Sequence, residues 1–336
     1  MIKLKTFGSF TVGNDLTSVQ EGAWRSEKLE KLFVYLAMNR NRGVCIEDIS
    51  EAIWQVEEET DNPVGALKNL AYRLRKALRD ASFDEECIVS VRGGLYKWND
   101  DVEVTIDVEE FDRYINEAEM AFCRSKETAI ESYEKAIALY HGDFLPLRTD
   151  THWFMTLNAF YHSRYVNTVK ALAKLYIDTG CYEKLEQLCT KAIVYERSDE
   201  QIYSYLIVAR MRTKKVQMAF DTYETAKAIM DKDLGVRKTV MLNKVYEELL
   251  SVTKGASSYN IDEVKDDISE ESMNGVFMCG YPVFKEIYQL EVRKSARSTI
   301  PESLVLVTVV PMYSSQPDKN HSQMKDSMHT LERALR

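Results

Sequence analysis

The segment from Asn62 to Asp80 constrains the fold of this chain more than any other, because it combines one apolar stripe with a basic surface. Asn62 followed by Pro63 is typical of a helix start, since proline is favoured at the first helical position. Between Asn62 and Arg79 there are five basic residues and no acidic residue, although the chain has a formal net charge of −9. With about 100° between successive residues, one helix face carries the positions that we expect to be buried, Leu67, Leu70, Ala71, Leu74 and Leu78.

The opposite face of the same helix is polar and basic. Its centre carries Asn69, Tyr72, Arg73 and Lys76, and its flanks carry Lys68, Arg75 and Arg79. For a helix considered alone, a solvated surface is the simplest interpretation of such a face. The segments on either side favour a different interpretation.

These neighbouring segments predict two earlier helices and a later hairpin. Apolar residues recur at helical spacing over about 24–38 and again over 46–54. Residues 87–98 form the pattern of a strand, a Gly-Gly turn suited to positive φ and a returning strand. Two helices, a basic helix and a hairpin are the layout of a winged helix-turn-helix. In that fold the third helix enters the major groove of DNA, and the hairpin, or wing, reaches the adjacent groove or the backbone.

Two motifs add a family resemblance. The sequence RLRKAL at 73–78, followed by VSVRGGLY at 89–96, resembles the OmpR/PhoB-type winged helix. The resemblance covers roughly residues 1–100, and it departs from the family where Gly94-Leu95 replaces a residue followed by glycine. Residues 2–12 alternate polar and apolar side chains, which predicts one strand ahead of the helices. The resemblance implies an α+β DNA-binding domain over residues 1–103.

We therefore expect residues 62–80 to act as a recognition helix on double-stranded DNA and residues 87–98 to act as the wing. Base edges are expected to meet the middle of the exposed face, because asparagine suits adenine and arginine suits guanine. The residues in that position are Asn69, Tyr72 and Arg73. Phosphates are expected at Lys68, Arg75, Lys76 and Arg79, and also at Arg25 near the start of the first helix. The wing is expected to contribute Arg92 and Lys97.

Residues 104–253 have a helical pattern with an internal period of 34. Apolar residues recur at the same phase in Leu172/Leu206 and Ala192/Ala226 and, more loosely, in Leu175/Ala209 and Leu185/Ala219. Such a period is typical of tetratricopeptide (TPR) helix pairs. Lys214 stands where the first repeat has Gly180. A TPR-like α-helical repeat domain is therefore predicted here.

Three motifs relate this region to a second family. The sequences DVEEF at 107–111, ALYHGDFLP at 138–146 and DLGV at 233–236 resemble the bacterial transcriptional activator domain (BTAD), which in that family follows the winged helix. The resemblance implies a transcription regulator whose repeats serve dimerisation or signal input. We expect a homodimer formed through residues 107–252, with RNA polymerase as a further candidate partner. Tyr203, Tyr205 and Tyr223 are candidate contact residues, with packing inside the domain as the alternative.

The C-terminal part is predicted to be a linker and a small α/β segment. Residues 254–274 are polar and acidic, which is typical of a flexible linker. Residues 275–336 are faintly similar to the front half of a GGDEF (diguanylate cyclase-like) domain. The apolar strand at 304–310 has no carboxylate for Mg²⁺, and no GGDEF turn occurs, so we interpret this segment as partial and degenerate. We expect no enzymatic activity there.

The remaining composition favours a cytoplasmic protein without a metal or cofactor. No apolar run is long enough to span a membrane, and no signal-peptide pattern is present. The six cysteines form no CxxC pair, and the five histidines show no metal-binding spacing. The chain is thus predicted to be mainly α, with a winged helix-turn-helix, a helical repeat domain and a small α/β C-terminal segment.

Three functions stay open at this point. The favoured one is a sequence-specific DNA-binding transcriptional regulator. The second is a TPR-type protein-interaction scaffold, with a peptide in the concave side of the repeats. The third is a nucleotide-signalling enzyme or sensor built on residues 275–336, which the missing carboxylates disfavour. The basic face of residues 62–80 separates the first two.

Overall fold

A computed structural model describes residues 1–14, 16–54, 62–91, 94–234 and 240–256, together with residues 287, 288 and 290–292. Met1–Gly255 form one compact unit, and Ala256–Arg336 form a second. In the second unit residues 287, 288 and 290–292 are helical, and the predicted strand at 304–310 lies outside the described residues. The predicted domain boundary at 103/104 and the linker at 254–274 stay predictions.

The strands of the described chain are β1 (Ile2–Lys5), β2 (Thr11–Gly13), β3 (Ser18–Gln20), β4 (Ile88–Val91), β5 (Leu95–Trp98) and β6 (Val104–Ile106). The helices are α1 (Glu27–Met38), α2 (Ile46–Ile53), α3 (Pro63–Asp80), α4 (Asp107–Ala121), α5 (Lys126–Leu139), α6 (His152–Thr179), α7 (Tyr182–Tyr195), α8 (Glu200–Arg212), α9 (Val216–Leu234) and α10 (Val240–Ala256). Short 3₁₀ turns lie at Glu85–Cys87 and Pro146–Arg148. The mainly α fold with an N-terminal sheet is as predicted.

A four-stranded sheet, in the order β3-β2-β1-β6, opens the chain. The β1–β2 and β2–β3 pairs are antiparallel, while β6 pairs parallel with β1. The prediction of one strand over residues 2–12 is wrong, because the chain turns back at Gly8, whose φ is +80°. A Cβ at Gly8 would lie 2.6 Å from the carbonyl oxygen of His141, so glycine also permits this close approach. Apolar alternation continues across the turn, which hid it from the sequence pattern.

Helix α3 confirms the predicted basic helix. Asn62 caps it, because its Oδ1 accepts the backbone N–H of Gly65 at 2.9 Å, and Pro63 takes the first helical position. The five apolar positions predicted from the sequence are all buried. They pack against α1, α2 and the 3₁₀ turn at Glu85–Cys87, and each buried leucine contributes about 2 kcal/mol. The apolar stripe therefore fixes which face of α3 remains outside.

The wing is a two-stranded hairpin of β4 and β5, with Ile88 opposite Trp98 and Val91 opposite Leu95. Tyr96 on β5 is also paired with Val44, in the turn between α1 and α2, through backbone hydrogen bonds of 2.8 and 2.9 Å. The wing is thus attached to the helices through its second strand.

Two helix ends that lie 34 residues apart confirm the repeat. Gly180 after α6 and Lys214 after α8 both have left-handed backbones, with φ of +72° and +61°. In both, the next backbone N–H donates to the carbonyl five residues earlier at 2.8 Å. Lys214 therefore adopts the conformation that glycine adopts more easily. All four paired positions are buried, namely Leu172/Leu206, Ala192/Ala226, Leu175/Ala209 and Leu185/Ala219.

Buried polar contacts join the sheet and α1 to the helical repeats. The Asp107 carboxylate at the start of α4 accepts the backbone N–H groups of Thr6 and Phe7, at 2.8 and 3.0 Å, and the Thr6 hydroxyl at 2.6 Å. Arg148, buried after α5, pairs with Glu30 of α1. The helices of the described residues include none that is long and apolar enough to cross a membrane.

Candidate nucleic-acid interface

The outer face of α3 is exposed and has few internal partners. Lys68, Asn69, Tyr72, Arg73 and Lys76 are all exposed, and the Tyr72 side chain is 65% accessible. Within the described part of the chain none of these five makes a hydrogen bond or an ion pair, whereas several surface lysines on the helical repeats are paired with acids. The face therefore presents donors and positive charge that are free to bind a polyanion.

Arg75 lies elsewhere. It is half-buried at the edge of the apolar stripe, and its Nε and Nη2 both donate to the carbonyl oxygen of Ile88, at 3.1 and 2.9 Å. The helical wheel put Arg75 on the flank of the exposed face, but the following segment packs on that flank. The guanidinium is turned toward the first strand of the wing, so the expectation of a phosphate contact at Arg75 has no support from its position.

Two further predicted contacts, the exposed Arg79 and the half-buried Lys97, are already paired with acids. Arg79 pairs with Glu85 of the 3₁₀ turn, and this hydrogen bond raises the pKa of the Arg79 guanidinium. Lys97 on β5 pairs with Asp100. Exposed ion pairs of this kind are weak because solvent screens them, so a phosphate could displace either acid.

Arg25 and Arg92 belong to segments other than α3. Arg25 is exposed in a left-handed turn before α1, with φ of +53°. Arg92 lies outside the described residues. The contacts expected at both positions stay predictions.

The structure brings one basic residue beside the wing that the sequence interpretation missed. Arg42 lies in the turn between α1 and α2, next to Gly43, where an added Cβ would lie 3.3 Å from the Leu95 side chain of β5. The Arg42 guanidinium donates to Asn39 Oδ1 and lies 3.9 Å from Asp48. By sequence, the turn residues of Asn39–Gly43 indicate only the end of the first helix. The two arginines of this turn, Arg40 and Arg42, were the feature of the sequence that could have indicated a basic group here.

The described residues contain no metal site, and two of their cysteines are deeply buried. No group of three His, Cys, Asp or Glu side chains there is placed to hold a metal ion. The cysteines described are free thiols, and burial raises the pKa of Cys87 and of Cys189 to about 12. These two thiols are therefore uncharged at neutral pH, which suits packing rather than nucleophilic chemistry.

His162 on α6 is a packing residue with a defined pair of partners. Its Nδ1 lies 2.8 Å from Asp143 and its Nε2 lies 3.1 Å from Glu196. Burial works against the charged ring, but the two carboxylates outweigh it, and the pKa of His162 is raised above its ordinary value. The ring links the segment before α6 to the end of α7.

Two domain profiles match this chain in the predicted order. Residues 21–98 match the domain described as "Transcriptional regulatory protein, C terminal". Residues 106–250 match the "Bacterial transcriptional activator domain". The GGDEF resemblance predicted for residues 275–336 finds no support in these matches.

A characterised relative and a solved structure span both domains. The transcriptional regulator RedD of Streptomyces coelicolor is 23% identical over 238 residues, which cover 70% of this chain and 67% of RedD. The structure of Mycobacterium tuberculosis EmbR, in complex with a low affinity phosphopeptide, has a TM-score of 0.58 at 20% identity. That match covers 79% of this chain and 70% of the EmbR chain, and it shows a shared fold. From the two domains, their order and the relative that spans them, this chain is a DNA-binding transcriptional regulator.

Proposed function

We propose that α3 enters the major groove of double-stranded DNA and that the β4–β5 wing lies on the adjacent groove or the backbone. The observation that supports this is the outer face of α3, where Lys68, Asn69, Tyr72, Arg73 and Lys76 are exposed without internal partners among the described residues. A helix that buries its apolar side against α1 and α2 is held rigidly enough to present this face to base edges.

The face divides into two kinds of contact. Asn69, Tyr72 and Arg73 meet base edges, and a bidentate arginine–guanine or asparagine–adenine pair contributes about 1–3 kcal/mol of discrimination. Lys68 and Lys76 bind phosphates. Arg79 and Lys97 bind phosphates after releasing Glu85 and Asp100. The chain thus works by binding, and needs no catalytic group.

Selection of bound sites from random duplex DNA, followed by mobility-shift titration, tests this function. Arg73→Ala should weaken binding to the selected site by about 5- to 150-fold and change binding to random duplex much less. Lys76→Ala should weaken both alike. Lys191→Ala, on the exposed surface of α7, is the matched control and should change neither. Unchanged binding in both α3 variants, with circular dichroism intact, would favour the protein-interaction scaffold.

We also propose that the helical repeats form a homodimer. Tyr203 and Tyr223, candidates for this contact by sequence, are buried inside the domain and Tyr205 is half-buried, so they do not supply it. Exposed apolar side chains at the far end of the repeats are better placed, namely Met218, Val240 and Met241. Light scattering on the free chain and on DNA tests the dimer. A monomer in both states would refute it.

We further propose that the DNA-bound chain contacts RNA polymerase. Both the DNA and the polymerase would be met in the cytoplasm. Co-migration of purified polymerase with the DNA complex tests this contact. Its absence would leave the DNA-binding proposal intact.

A further inference from the structure

The wing is attached to the helices through both of its strands, since Trp98 of β5 packs on Phe33 of α1 and Ile88 of β4 is buried. The wing is a two-stranded sheet, and an isolated hairpin of this size is marginally stable in water. Its strand β5 is held by the backbone pairing of Tyr96 with Val44. Its strand β4 begins at Ile88, whose carbonyl oxygen accepts hydrogen bonds from Nε and Nη2 of Arg75.

The geometry at Ile88 suits arginine in particular. Nε and Nη2 form one edge of the planar guanidinium, and both lie within 3.1 Å of the same oxygen. Hydrogen bonds from a charged donor are roughly twice as strong as neutral ones. A lysine would present one mobile ammonium group instead of this rigid fork. Ile88 and the preceding Cys87 are both buried and Arg75 is half-buried, so the bonds are partly shielded from water.

We propose that Arg75 is a positioning residue, which sets the place of the wing relative to α3 so that both reach DNA together. This inference rests on the proposed function of α3 and the wing. Arg75 itself contacts no phosphate. When the wing is fixed relative to α3, binding of α3 already places the wing on DNA, so the second contact costs little additional entropy. A mobile wing must instead lose its conformational freedom when it binds.

A double-mutant cycle separates positioning from phosphate contact. The measurement is the affinity at low salt for a random-sequence duplex of about 30 base pairs. A duplex of this length spans more than one helical turn. Lys97→Ala on the wing should weaken the unmodified chain and the Lys76→Ala variant by the same factor. In Arg75→Met its effect should be smaller, because β4 has lost its hydrogen bonds to α3 and the wing is placed less exactly, although β5 stays paired with Val44. Arg75→Lys keeps the charge and should behave like Arg75→Met.

A DNA-free measurement gives an independent readout. Cys87 is fully buried beside Ile88, and Cys189 is equally buried in the helical repeats. In Arg75→Met and Arg75→Lys, alkylation of Cys87 followed by peptide mass mapping should rise severalfold relative to Cys189. In Arg73→Ala and Lys76→Ala it should stay unchanged.

Several results would overturn this inference. One is that Arg75→Lys binds like the unmodified chain while Arg75→Met weakens binding as Lys76→Ala does, which is the behaviour of a phosphate contact. Another is an unchanged Cys87/Cys189 ratio in both Arg75 variants. A third is the absence of any Lys97→Ala effect in the unmodified chain. If Arg73→Ala and Lys76→Ala also leave DNA binding unchanged, the proposed function fails, and the thiol ratio still shows whether Arg75 holds the wing.

Discussion

Lys76→Ala should reduce the salt dependence of DNA binding by a predictable amount. Among the described residues of α3 and the wing, four basic side chains are left for phosphates once Arg75 is assigned to Ile88, namely Lys68, Lys76, Arg79 and Lys97. Each neutralised phosphate contributes about −0.9 to the slope of log affinity against log salt, so the slope should be about −3.6 per bound chain. Removing the Lys76 ammonium should change it to about −2.7.

The affinities follow from these slopes. A rise in salt from about 50 to about 200 mM should weaken the unmodified chain by about 150-fold and the Lys76→Ala variant by about 40-fold. The ratio of the affinity of the unmodified chain to that of Lys76→Ala should therefore decrease by about 3.5-fold over this range. Fluorescence anisotropy of a labelled random-sequence duplex, at several salt concentrations, measures both slopes.

Two further variants sharpen the assay. Lys191→Ala removes an exposed lysine from α7 and should leave the slope unchanged. Glu85→Gln releases Arg79 from its acid and should strengthen binding at low salt. An equal loss of slope in Lys76→Ala and Lys191→Ala would refute the reasoning, because it would mean that net charge alone, and not the face of α3, binds the phosphates.

Two other predictions concern the helical repeats. Asp107→Ala should lower the free energy of unfolding by about 3 kcal/mol or more, because four buried donors lose their acceptor. Asp107→Asn should cost less, and urea denaturation measures both. His162→Gln should remove a pH-dependent stabilisation. Because the carboxylates of Asp143 and Glu196 outweigh burial and raise the pKa of His162, the stabilisation is complete below about pH 6.5 and is lost as pH rises through the raised pKa. In thermal melts, the difference in melting temperature between the unmodified chain and His162→Gln should become smaller toward alkaline pH. A difference that becomes larger would contradict the expected sign.

The parts that the sequence predicted well are those governed by local periodicity. The stripe from Leu67 to Leu78 repeats at helical spacing, so both the existence of α3 and its buried face follow from the sequence. The Gly-Gly turn likewise marks the hairpin. The left-handed backbone of Lys214 was visible only as the counterpart of Gly180, because lysine itself does not indicate such a turn.

The features that the sequence predicted poorly depend on packing between residues that are far apart in the chain. A helical wheel gives the angle of Arg75 around α3, but not that β4 approaches at that angle. The parallel pairing of β1 with β6 joins residues about a hundred positions apart, so strand pattern alone did not reveal it.

The contacts between the winged helix and the repeats determine how a dimer would place two recognition helices. Arg148 is buried against Glu30 and lies 3.3 Å from Glu21, Lys31 pairs with Asp150, and the Thr151 hydroxyl donates to the Ala52 carbonyl oxygen at 2.8 Å. Breaking a buried ion pair costs about 3–5 kcal/mol, so hinge motion at this junction is unfavourable. If the repeats dimerise, each α3 is therefore carried at a fixed position relative to the dimer axis. The spacing between the two half-sites should then be rigid, and insertion of about five base pairs, half a helical turn, between them should abolish paired binding.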